Sequence, residues 1–88
     1  MNEQEWQWLV AEVDHWLNEA DDDRINRAVE SGDIDELVDV VADVISNYMD
    51  ISDFGFDDTP AGWNKFYRNV RYIIVESNNK GWDYVYGR

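Results

Sequence analysis

Three aspartates set four residues apart, Asp35, Asp39 and Asp43, are the residues of this chain best placed to do chemistry. On a helix such carboxylates recur about every 6 Å along the axis. Neighbouring phosphates on one nucleic-acid strand stand on the order of 6–7 Å apart and carry one charge each. The chemistry is therefore that of a row of fixed negative charges. No lysine or arginine lies at i+4 to neutralise any of the three, and like charges at that spacing cost a helix a few tenths of a kcal/mol per pair. Asp21, Asp22 and Asp23, together with Asp57 and Asp58, add charge near the ends of the same body. Phe54 and Phe56 sit on a Gly-containing acidic loop and are expected as exposed anchors at an interface. The plain alternative is a solvated helix face.

The charge is unevenly spread. Residues 1 to 58 hold 18 Asp and Glu against Arg24 and Arg27, whereas residues 59 to 88 hold Glu76 and Asp83 against five lysines and arginines. The first part is −16 and the second +3, which gives the −13 of all 88 residues. Solubility needs a magnitude of only roughly 2 to 8 in a small domain, and packing like charges together is destabilising. A strongly basic partner is the simplest reason to keep such acidity.

Other chemistries fare poorly. There are no cysteines, so disulfides, zinc thiolate sites and cysteine nucleophiles are excluded. His15 is the only histidine, and no nucleophile–base pair can be built around it. The stretch Asp50–Gly55 has Asp and Gly where a calcium loop wants them, but Phe54 and Ala61 stand where oxygen ligands are needed. No enzyme, no metal and no cofactor is expected. Lys65, Arg68, Arg71 and Lys80 would pass alone as a phosphate-contacting patch. The field of the whole molecule repels DNA, so these cations are expected to pair internally with the acidic helices.

The elements that must position these groups read as mostly α. Trp6, Leu9, Val10, Val13, Trp16 and Leu17 trace one helical face from about Glu3 to Glu19. A short piece from Asp22 to Glu30, with Ile25, Ala28 and Val29 inward, stops at Ser31-Gly32. Asp33 and Glu36 form a capping-box pattern that opens the clearest helix; Ile34, Leu37, Val38, Val41, Ile45 and Tyr48 are its core stripe. Thr59 caps the last helix with Pro60 at its first position. Past Val70 two continuations stand open. Ile73 and Ile74 keep the helical stripe, whereas Tyr72–Val75 is β-rich and Trp82, Tyr84 and Tyr86 alternate after a turn-like stretch. Five Trp, five Tyr and three Phe mark a folded chain rather than an acidic tail. The expected fold is one acidic globular domain over residues 1–88, a small bundle of three to four helices, with or without a C-terminal β-hairpin over 72–86. The acidic N-terminus is no signal peptide and the longest apolar run is far too short for a bilayer, so the expected setting is the cytoplasm.

Two families are similar in part. The stretch Asp33–Ile51, with Asp35, Glu36, Leu37, Asp39, Ala42, Asp43, Tyr48 and Asp50, resembles the central acidic helical region of the Ocr-type anti-restriction proteins, which mimic DNA. That resemblance implies a phage-encoded inhibitor acting in the host cytoplasm. It would occupy the DNA-binding groove of a defence enzyme, as anti-restriction and some anti-CRISPR proteins do. Asp57-Asp58-Thr59-Pro60-Ala61-Gly62 resembles the acidic turn that opens the last helix of colicin-type nuclease immunity proteins, which are small, acidic and four-helical. Asp35–Val38 and Ser52–Phe54 are similar to the starts of that family's second and third helices. The paired tyrosines that family uses are absent, with Gly55 and Phe56 in that vicinity. The expected partner is thus a basic nucleic-acid-binding protein (a defence nuclease, a CRISPR effector or a nuclease toxin) bound by a monomer or homodimer, with no direct contact to nucleic acid or membrane. An acidic domain of ordinary protein–protein function is the remaining reading.

Overall fold

A computed structural model describes residues 1–87; Arg88, counted among the basic residues above, lies outside the described residues. The chain folds as five α-helices, and no strand occurs among the described residues. Helix α1 (Glu3–Asp14) runs on into a π-helical turn (His15–Glu19). Helices α2 (Asp23–Ser31), α3 (Ile34–Tyr48), α4 (Pro60–Lys80) and α5 (Trp82–Tyr86) follow, with a 3₁₀ turn (Ile51–Phe54) between α3 and α4. Their buried side chains form one continuous core that contains no polar or charged residue among those described.

Local chemistry starts each helix. The Asn2 side chain accepts from the Glu5 backbone N–H at 2.8 Å while the Glu5 carboxylate accepts from the Asn2 N–H at 2.8 Å. Two orphan donors of α1 are satisfied reciprocally in this way. Asp22 caps α2 by accepting from Ile25 N–H, and Gly32, at φ +72°, ends it in the left-handed region that glycine enters without strain. Asp33 caps α3 through the N–H groups of Asp35 and Glu36. The reciprocal half of the expected box is not formed, because the Asp33 N–H donates to Ser31 Oγ instead.

The expected core stripes hold along the middle of each helix and fail at the ends. Trp6, Leu9, Val10 and Val13 are buried, while Trp16 and Leu17 are only half-buried. The wider π-turn, closed by Ala20 N–H to His15 O at 2.8 Å, rotates the face of the helix just where those two residues sit. Val29, Ile34 and Tyr48, expected inside, are instead exposed. Tyr48 is 73% exposed and covers Trp16 by stacking at a centroid distance of 5.2 Å.

Phe54 and Phe56 correct a second expectation. Neither is an exposed anchor: both are buried, and their rings pack on Phe66 at 6.3 and 5.9 Å. Burying rings of this size is worth more to a small core than leaving them in water. The acidic loop is folded under by them, with Gly55 at φ +84° making the reversal.

The C-terminal hairpin is not formed. Helix α4 continues without a break through Tyr72–Val75, and both Ile73 and Ile74 are buried. In a strand, adjacent side chains point to opposite faces; as helical neighbours of Phe66 and Val70 they share one stripe. Gly81, at φ +92°, breaks the helix, and α5 folds back onto α1. Trp6 Nε1 donates to Val85 O at 2.9 Å, Gln7 Nε2 donates to Tyr86 O, and Tyr86 OH donates to Asp14 Oδ2 at 2.9 Å. Val85 itself is fully buried.

Two predictions follow from these contacts. A Cβ at Gly62 would lie 1.7 Å from the Asp57 carbonyl oxygen, a backbone atom that cannot swing aside. Gly62→Ala is expected to cost about 3 kcal/mol or more, read as a lower urea midpoint, while the exposed Ala61→Gly costs no more than about 1 kcal/mol. Burial, and then the hydrogen bond to Asp14, push the Tyr86 hydroxyl up to about 12. The raised value favours the neutral phenol in the folded state, so its stabilisation is complete below about pH 10 and is lost as pH rises toward 12. The stability difference between the native chain and Tyr86→Phe should shrink across that window; a difference constant with pH would mean that folding does not raise the hydroxyl.

Candidate acidic interaction face

Helix α3 turns its apolar side to the core, which sends Asp35, Asp39 and Asp43 outward on the opposite side. Cations from distant parts of the chain reach two of the three. Arg71 of α4 forms an ion pair with Asp35, and Arg24 Nη1 of α2 lies 2.9 Å from Asp43 Oδ2. All four side chains are about half exposed or more, so each pair contributes at most about 1 kcal/mol. Asp39 has no ion pair or hydrogen bond among the described residues. Its charge, with that of Asp43, is felt by the half-buried Tyr67, whose hydroxyl is raised first by desolvation and then by these two carboxylates. The stripe expected from the sequence is therefore present in position but is crossed by two arginines.

The flanking clusters converge on the C-terminal half of α3. The Arg24–Asp43 pair brings the preceding run Asp21, Asp22 and Asp23 alongside that helix. Asp21 accepts from Asn26 Nδ2 and Asp22 serves as the α2 cap, while Asp23 stays exposed. On the other flank, Asp58 Oδ1 accepts from Trp63 Nε1 at 2.8 Å. Asp58, Asp50, Ser46 and Trp63 line a cleft of about 250 Å³ at the end of α3. Asp57 is exposed, its carbonyl packed against Gly62. Phe54 and Phe56 are not part of this face.

Many acids also have local duties that composition could not show. Glu3 and Glu5, Asp22 and Asp23, and Asp33, Asp35 and Glu36 occupy the caps and first turns of three helices. Negative charge at a helix N-terminus is favourable by about 0.3–1 kcal/mol per group. Asp53 accepts from the Asp50 N–H in the 3₁₀ turn, which ties up the stretch that faintly resembled a calcium loop. No group of three or more His, Asp or Glu is placed to hold a metal among the described residues.

Internal pairing of the C-terminal cations is partial. Arg71 reaches α3, but Lys80 pairs with Glu76 of its own helix at 3.4 Å and meets the Tyr84 hydroxyl at 3.5 Å. Lys65 and Arg68 have no ion pair among the described residues and line an open cleft with Asn69 and Tyr72. His15 lies 3.2 Å from Glu19 on the π-turn. No helix among the described residues is long and apolar enough to cross a membrane. No protein-family model, curated protein or solved structure matches the chain.

The charge map predicts its own energetics. Asp39→Asn removes a carboxylate with no counter-charge between two others, and should stabilise the protein by a few tenths of a kcal/mol. A double-mutant cycle on Arg24 and Asp43 should give a favourable coupling of about 0.2–1 kcal/mol, measured by urea unfolding and shrinking as salt is added. A destabilised Asp39→Asn would show that this carboxylate has a structural partner.

Proposed function

We propose that this chain is a non-enzymatic inhibitor that presents carboxylates to a basic nucleic-acid-binding protein in place of phosphates. The defence-enzyme version, a phage-encoded anti-CRISPR or anti-restriction protein acting in the host cytoplasm, is the preferred one. The observation that carries it is the convergence of the Asp21–Asp23 run, the Asp35–Asp39–Asp43 stripe and the Asp58 cleft along one helix. Among the described residues, Arg24 and Arg71 cross that face, and both are held in exposed ion pairs. A partner's guanidinium groups would exchange with them at little cost. Fields of this strength steer a basic partner and speed association.

A second reading keeps the same partner chemistry and makes the chain an immunity protein for a nuclease toxin. The short 3₁₀ turn Ile51–Phe54 ahead of the Thr59-capped α4 favours it, since that family carries a short third helix.

Capture of the partner from host extract, followed by competition with duplex DNA, is the test. Duplex DNA should displace the captured protein, and affinity should fall steeply between about 50 and about 500 mM salt. Replacing Asp35, Asp39 and Asp43 together by Asn should weaken binding by tenfold or more, on the order expected for close interfacial charges. Binding that ignores both salt and DNA would end the mimicry reading.

A further inference from the structure

The helix ends meet in an apolar groove of about 400 Å³, at the opposite end of α3 from the Asp58 cleft. Leu37 and Ile74, both buried, make its floor; Leu17 and Trp82 are half-buried walls, and Val29 and Ile34 stand open at 53% and 38% exposure. Two exposed β-branched side chains here line one groove together with an indole, whereas Met1, Trp8, Tyr48 and Tyr84 are exposed elsewhere. Three of its lining residues have an acid next to them in the chain. Glu30 follows Val29, Asp33 precedes Ile34, and Glu19 follows the lining residue Asn18, all three exposed. Two cations close to the lining residues in sequence are already paired, Lys80 with Glu76 and Arg71 with Asp35.

We infer that this groove takes the apolar face of a basic amphipathic helix belonging to the partner protein. Charge complementarity selects this occupant. A second copy of the chain would bring another −13 against these acids, a repulsion that a groove of this size does not offset. A segment with leucine-like residues at helical spacing and lysine or arginine between them fills the groove and meets Glu19, Glu30 and Asp33 at the same time, the helix-in-groove mode of recognition. The groove supplies the desolvated anchor that charge alone does not provide. The inference rests on the proposed reading that the partner is basic, and it adds that recognition has an apolar, salt-resistant component.

Two synthetic probes of equal positive charge test it: a helical peptide of leucine and lysine at amphipathic spacing, and a polylysine with the same number of lysines. The leucine–lysine peptide should bind on the order of tenfold tighter, shift the methyl resonances of Val29 and Ile34 and perturb Trp82 fluorescence. Polylysine should bind the acidic surface without those shifts. Val29→Ser with Ile34→Ser, both at exposed positions, should abolish the difference between the probes, and urea unfolding checks that this variant stays folded. Val29→Thr, which keeps the β-branched shape, supplies an independent variant and should weaken only the amphipathic probe. Equal affinity for the two probes, or methyl shifts with polylysine as well, would overturn the groove inference while leaving the basic-partner reading intact. Failure of both probes to bind would overturn the two together.

Discussion

Like-charge repulsion is the constraint on which the rest of this structure depends. A net charge of −13 is held on a body of 31 × 26 × 19 Å, so many carboxylates lie within a screening length of one another. The chain offsets this locally. Acids are placed at the caps and first turns of α1, α2 and α3, where the free N–H groups and the positive end of the helix dipole receive them. Arg24 and Arg71 are spent across helix boundaries, where each ties two elements together as well as cancelling charge. Among the described residues the core is left to apolar side chains, which spares it the cost of burying charge.

Cohesion comes from aromatics and from the chain's return on itself. Phe54, Phe56, Trp63 and Phe66 form a cluster of edge-to-face and stacked rings that pins the acidic loop beneath α4. At the other end of that helix, α5 closes on α1 through Trp6, Gln7 and Asp14. Helix α4 links both devices, and its Arg71 forms an ion pair with Asp35 of the acidic part. Gly62 is the narrowest point, since the approach of α4 to the Asp57 carbonyl leaves no room for a side chain.

Helix α3 joins the two features that bear on binding. The Asp35–Asp39–Asp43 stripe runs along it toward the Asp58 cleft at its C-terminal end, and its N-terminal turn, through Ile34 and Leu37, opens onto the apolar groove. Charges act at a distance and set the rate and orientation of encounter, whereas apolar contacts act only on touching and set how long a complex lasts. A single rigid helix that carries both would let one partner be steered and then held.

Much of the architecture was legible in the residues. Helical spacing placed α1, α2, α3 and α4, and the caps at Asp33 and Thr59 with Pro60 are local chemistry that needs no tertiary context. What local pattern could not decide was direction and company. Tyr72–Val75 suits strand or helix, and only the core's demand that Ile73 and Ile74 face the same way settles it as helix. Phe54 and Phe56 look exposed on an acidic loop, and burial against Phe66 is a long-range fact. Val29, Ile34 and Tyr48 follow their stripes but fall where the helices end and no neighbour covers them. The same holds for the acidic face. Sequence alone determined that Asp35, Asp39 and Asp43 share a side of one helix, because that follows from 3.6 residues per turn. Only the tertiary structure decided that Arg71 and Arg24 would cross it and that the Asp21–Asp23 run and Asp58 would join it, because those meetings depend on how separate helices pack.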